Sequence, residues 1–156
     1  MTIKTAQLLH IHPQVGPALA AYAPALDKAM QRYRIISTER KAAFIAQFAY
    51  ELGRLEKRYG ERQQDIQRGL LQITRQAPQG QQKGPGGGTT EQHLDWLEQL
   101  EWVAMSAAWW WSLRGMNRLA DAGCFDQITL RISGDAHDLE DRLTIWRRAV
   151  RTFAEA

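Results

Sequence analysis

Apolar positions recur at spacings of three and four along most of the chain, and strand-type alternation is nearly absent. Residues 6–11 form a first short helical stretch, with Thr5 as its cap. Pro13 and Pro17 interrupt it, and Pro17 also suits the opening of the next helix. Leu19, Tyr22, Ala23, Leu26, Met30 and Tyr33 predict an amphipathic helix over 16–33. Ser37 or Thr38 then caps a run from Arg40 to Leu52, with Gly53 as its stop. In that run Ala43, Phe44, Gln47, Phe48 and Glu51 share a face. Glu51 therefore falls on or beside apolar surface, near the expected helix end.

Gln67 to Thr74 contains a short apolar run that reads as one strand or a turn. Residues 75–90 are rich in Gly, Gln and Pro and predict a flexible surface loop within the domain. Helix restarts at Thr90-Glu91, and the stripe from Leu94 to Trp111 makes it a candidate central helix, ended by Arg114-Gly115. A short turn or helix over 116–121 follows. Phe125, Ile128 and Ile132 line another helix, broken by Gly134. Leu139 to Phe153 predicts a last helix with Leu143, Trp146, Val150 and Phe153 inward. The pattern predicts a mainly α fold with at most a vestigial β-element. It has no internal repeat.

Length and charge narrow the picture. The chain has 156 residues, the size of one domain able to bury a single core. Its formal charge of +3 is too small an excess to mark a nucleic-acid binder, so no nucleic-acid partner is expected. No apolar run reaches the roughly 18 residues of a spanning helix, so no membrane insertion is expected. Cys124 is the only cysteine, which excludes an intrachain disulfide and a Cys-clustered zinc site. The first residues lack the apolar core of a secretory signal.

Three places could carry chemistry. A carboxyl at Glu51, flanked by Phe48, Tyr50 and Leu52, would be raised in pKa by desolvation and suit a general acid. The alternative is a solvated glutamate at a helix terminus. Arg68 and Gln72 frame an apolar floor and could hold a sugar ring, or belong to an ordinary buried turn. Trp109, Trp110 and Trp111 cannot share one helix face, so one meets solvent or a groove while the others fill the core. His10, His12, His93 and His137 show no ligand spacing, so neither a metal nor a cofactor is expected.

Four segments in order resemble the family 19 chitinases, especially their endolysin-like bacterial and phage members. Phe44-Ile-Ala-Gln-Phe-Ala-Tyr-Glu51 resembles the helix carrying the catalytic acid, F-x-A-Q-x-x-H-E-[ST]-G-G. Arg68-Gly-Leu-Leu-Gln-Ile-Thr74 is similar to G-R-G-[LP]-I-Q-L-[ST]. Ser106-Ala-Ala-Trp-Trp-Trp-Ser-Leu-Arg-Gly-Met-Asn-Arg-Leu-Ala-Asp121 resembles A-A-W-F-W-x-x-x-G-L-N-x-L-A-D. Ile128-Thr-Leu-Arg-Ile-Ser-Gly134, followed by Leu139-Glu-Asp-Arg142, resembles I-T-x-x-I-N-G-G…G-x-x-D-R.

The resemblance implies a lysozyme-like helical domain that hydrolyses β-1,4 links between N-acetylated amino sugars, in peptidoglycan or chitin, with inversion. Inversion needs two carboxyls roughly 6.5–9.5 Å apart, with water between base and sugar. By resemblance Glu51 is the acid, Glu61 is the nearest candidate base, and Arg68, Gln72, Ser133 and Tyr50 contact substrate. It also implies synthesis in a bacterial or phage-infected cytoplasm, and action at the wall after passage through a holin or a secretion system. The chain departs from the pattern where chemistry is concentrated. Tyr50 replaces the histidine before the acid, Leu52 the Ser/Thr after it, and Arg54 the second glycine. Gln67 replaces the glycine before Arg68, while Pro78 and Ser133 replace asparagines. Only 16 residues separate Glu51 from Arg68, fewer than the family usually has. Two functions follow: a cell-wall glycoside hydrolase, or a degenerate relative that binds glycan or a protein partner through the old groove.

Overall fold

The computed structural model describes residues 2–60, 62–75 and 96–155. Among them every regular element is a helix and there is no strand. The mainly α expectation holds. The expected loop over 75–90 lies, after Arg75, outside the described residues.

The N-terminal third is three short helices, α1 (Thr5–Ile11), α2 (Gly16–Ala21) and α3 (Ala23–Arg32). The continuous helix expected over 16–33 is therefore broken at Tyr22. Pro17 and Pro24 each stand in the first turn of a new helix, where a missing N–H costs nothing. Asp27 on α3 holds the leading segment, accepting the Ile3 backbone N–H at 3.0 Å.

Next comes α4 (Thr38–Tyr59), the longest described helix. Ser37 caps it by accepting the Arg40 N–H at 3.2 Å, and Lys57 and Arg58 sit favourably at its negative end. Gly53 does not stop it. Leu52 and Leu55 continue the buried stripe past that point, and the helix ends at Gly60, whose φ of +61° is open to glycine. Gly53 serves packing instead. A Cβ there would meet Val15 Cγ1 at 3.2 Å and His12 Nε2 at 3.3 Å, so its absence lets the α1–α2 junction close on α4. Every residue from Ala42 to Ala49 is buried, which makes α4 the helix surrounded on all sides.

Around it lie α5 (Gln63–Arg75), α6 (Trp96–Leu113), α7 (Met116–Asp121), α8 (Phe125–Ser133) and α9 (Leu139–Ala154). The segment expected as strand or turn is thus helix α5. Ile66 and Leu70 recur at helical spacing against the core, with no second strand to pair the run. The start of α4 is clamped by Arg40, which donates to both Asp121 oxygens at 2.8 and 2.7 Å and to the Arg34 carbonyl at 2.9 Å. One cluster of buried apolar side chains draws on all of these helices.

The face of α9 keeps Phe153 inward as expected but is otherwise rotated by one position from the expected stripe. Arg142, Ile145, Ala149 and Phe153 are the buried residues, whereas Leu143, Trp146 and Val150 are half-buried on its flank. Trp146 stacks on Phe125 with ring centroids 5.0 Å apart. The shift brings an arginine into the interior.

Candidate functional site

The buried face of α4 presents Gln47 and Glu51 four residues apart, with the half-buried Tyr50 beside them and the exposed Arg54 three residues further on. Facing it, α9 presents Asp138 and Arg142, four residues apart at its first turn. Arg142 is 1% exposed and Glu51 4%. Arg142 Nη2 donates to Glu51 Oε1 at 2.7 Å and to Asp138 Oδ2 at 3.0 Å, while Nη1 donates to Gln47 Oε1. Gln47 in turn donates to Thr129 Oγ1 at 2.9 Å, and that hydroxyl donates to the Phe125 carbonyl at 3.1 Å. The chain of bonds ties α4, α8 and α9 through polar groups inside the core.

Arg54 closes the outer side. Its Nε and Nη2 donate to Glu51 Oε2 at 3.1 and 2.8 Å, although 46% of its side chain remains exposed. Both carboxylate oxygens of Glu51 are therefore occupied by guanidinium donors. The Tyr50 ring lies over Arg142, 4.1 Å from the guanidinium carbon, a cation–π contact at a desolvated site. Burial first, and the Asp138 charge next, push the Tyr50 hydroxyl above its ordinary pKa. For Asp138 burial pulls upward, but the Arg142 hydrogen bond and charge outweigh it and hold the carboxyl below its usual range.

Beside this network is a small apolar cavity of about 40 Å³, bounded by Phe44, Phe48, Leu70, Trp110, Trp111 and Ile132. That is room for one or two waters, far below the roughly 300–1,000 Å³ of a small-molecule site. A larger concavity of about 540 Å³ lies between residues 2–5 and α3, and contains none of the residues predicted from sequence.

Of those residues that are described, only Glu51 and Tyr50 come together. Arg68 points outward from α5 with 72% of its side chain exposed, and meets Asp65 at 3.8 Å. The expected apolar floor belongs instead to Ile66 and Leu70 on the opposite face of the same helix. Ser133 turns its hydroxyl to the Thr129 and Asp135 carbonyls, at 2.9 and 2.7 Å. Glu61 and the side chain of Gln72 lie outside the described residues. Trp110 and Trp111 fill the core and Trp109 is half-buried, as three successive helical positions require. Trp111 packs edge-on against Phe44 and donates to Asn117 Oδ1 at 2.9 Å.

Sequence reasoning missed Arg142, Asp138, Gln47 and Arg54 as members of one cluster. A signal existed for two of them. Asp138 and Arg142 stand at helical pairing distance, and Arg142 falls on the line Ile145, Ala149, Phe153.

No family model, no curated protein and no solved structure matches this chain.

Proposed function

We propose that the chain is a lysozyme-like helical domain, similar in its motifs to the family 19 glycoside hydrolases, that has exchanged hydrolysis for binding. The ligand proposed first is a cell-wall polysaccharide, peptidoglycan or chitin. The carrying observation is the state of Glu51. An acid catalyst must reach the leaving oxygen within hydrogen-bond distance. Glu51 is 4% exposed, both its oxygens are taken by arginines, and the adjoining cavity is too small for a sugar ring. The replacements at Tyr50, Leu52 and Arg54 follow the same direction. They put apolar bulk and a guanidinium where the family pattern has a polar residue and a glycine.

The test has two arms. The protein is incubated with insoluble peptidoglycan and with chitin oligomers, and both released sugars and sedimented protein are measured. Co-sedimentation without released sugar, unchanged in Glu51→Gln, is the expected result. General acid catalysis is typically worth about 10²–10⁴-fold, so release that falls by that factor in Glu51→Gln overturns the proposal. Neither binding nor release on both polymers would redirect the search to a protein partner.

One observation favours the second reading, inverting hydrolysis with Glu51 as acid and Glu61 as base. Glu51 and Arg142 belong to two separate segments of the resemblance, 91 residues apart, and they meet directly. Under this reading Glu61→Gln as well as Glu51→Gln abolishes sugar release.

A further inference from the structure

Helix α9 carries its exposed charges in two blocks. Glu140 and Asp141 stand in its first turn, and Arg147, Arg148 and Arg151 in its second half. All five are exposed, and among the described residues none of them has an ion-pair partner. The helix dipole accounts for acids at the start and for Arg151 at the end. It does not account for Arg147 in the middle, whose neighbour one turn on is a like charge, an arrangement that weakens a lone helix.

Glu140, Thr144, Arg147 and Arg151 recur at spacings of four, three and four, so they form one stripe along the helix. All four are exposed, and the stripe lies opposite the buried line of Arg142, Ile145, Ala149 and Phe153. One flank of it holds the half-buried Leu143 and Val150, the other Asp141 and Arg148. This face is complementary to itself. Turned end for end about a two-fold axis, the stripe sets Glu140 against Arg151 of a second copy, and Thr144 against Arg147. The Thr144 hydroxyl donates to the Glu140 carbonyl at 3.1 Å, which leaves its oxygen able to accept from that arginine. The same axis lays each flank beside its own counterpart. Leu143 then meets Val150 along one edge, and Asp141 meets Arg148 along the other.

We propose that two copies of this chain pair through the outer face of α9, antiparallel, as a two-fold symmetric dimer. Opposite charges meet at both ends of the contact and the apolar flanks cover one another between them. The pairs lie at the surface, so salt screens them and weakens the dimer. The pairing is independent of whether the domain hydrolyses or binds glycan.

Charge reversal tests the register. Sedimentation velocity of the full chain across a concentration series at low salt should show a monomer–dimer equilibrium that shifts to monomer as salt is added. Glu140→Arg and Arg151→Glu each oppose like charges twice in a symmetric dimer, and each should weaken it at least about tenfold with helix content unchanged. An equal mixture of the two variants should pair again, because each then meets the opposite sign at both positions. Glu39→Arg, an exposed reversal on α4 with the same change in net charge as Glu140→Arg, should pair as the wild type does. A chain that stays monomeric at every concentration overturns the proposal. So does a dimer that tolerates either α9 reversal, a mixture that remains monomeric, or a dimer that Glu39→Arg disrupts equally.

Discussion

Arg142 on α9 and Glu51 on α4 meet at 2.7 Å inside the core, with side chains 1% and 6% exposed. Two buried charges of this kind gain little over an apolar pair of the same shape, yet breaking one partner away is expensive. Arg142 has three partners that depend on it, Gln47, Glu51 and Asp138, whereas Glu51 retains Arg54 if Arg142 is removed. Arg142→Met should therefore cost about 3–5 kcal/mol of stability, as an uncompensated buried charge does. Glu51→Gln keeps one acceptor oxygen, enough for one of the two arginines, and Arg142 still has Gln47 and Asp138, so it should cost less, about 1–3 kcal/mol. Urea denaturation of the two variants gives the order, and equal costs would mean that the pair does not organise the interface of α4 with α9.

The same arginine sets an acid limit. Burial raises the Asp138 carboxyl, but Arg142 prevails and the folded value lies below the ordinary 3.8. A carboxyl held below its unfolded value contributes stability that is complete above about pH 4 and is lost as pH falls through the folded value. Wild-type stability should thus decline below about pH 4, and the decline should be shallower in Asp138→Asn. Stability profiles measured between pH 6 and 2 check the slope. Parallel profiles for the two proteins would detach Asp138 from the acid response.

Contact between α4 and α5 rests on a glycine. A Cβ on Gly69 would run into Leu55, meeting Cδ1 at 2.9 Å and Cδ2 closer still, and Leu55 is buried. Gly→Ala inside a helix is worth about 1 kcal/mol in propensity, but overpacking a core costs about 1–3 kcal/mol. Gly69→Ala should therefore destabilise by about 1 kcal/mol in the natural background. With Leu55→Ala in place the obstruction is gone, and the same substitution should stabilise. Thermal melts of the four proteins close the cycle, and a stabilising Gly69→Ala in both backgrounds would contradict the close approach.

These features divide into those that periodicity carries and those it does not. Helices α4, α8 and α9 were legible because apolar residues recur at three and four, and no strand signal competes. The end of α4 was not. Gly53 looks like a stop from its neighbours, and only the packing of His12 and Val15 against it reveals the other use of a missing Cβ. Helix α5 was obscured because three apolar residues in a short run, Leu70, Leu71 and Ile73, fit strand and helix alike. Glu51 was legible as a residue beside an apolar face. Its partner was hidden, because Arg142 lies on the line of Ile145 and Ala149, one position away from the Leu143, Trp146 and Val150 that the pattern put inward. The polar cluster depends on contacts 82 to 95 residues apart, and no local pattern encodes those.

The small cavity beside Glu51 offers a last test, because it separates packing from ligand binding. Ala107 on α6 borders the cavity of about 40 Å³ and is half-buried. Methionine is a good helix former with a flexible, unbranched side chain that fits irregular gaps. Ala107→Met should fill the space and raise stability by about 0.5–1 kcal/mol, the usual return of cavity filling. A void holding one or two waters has no room for a pyranose ring, so polysaccharide co-sedimentation should be unchanged in this variant. The opposite pattern, with stability gained and binding lost, would mean that the cavity opens into a groove that receives the ligand. The carboxylate of Glu51, on the wall of that same space, would then regain access to a bound sugar.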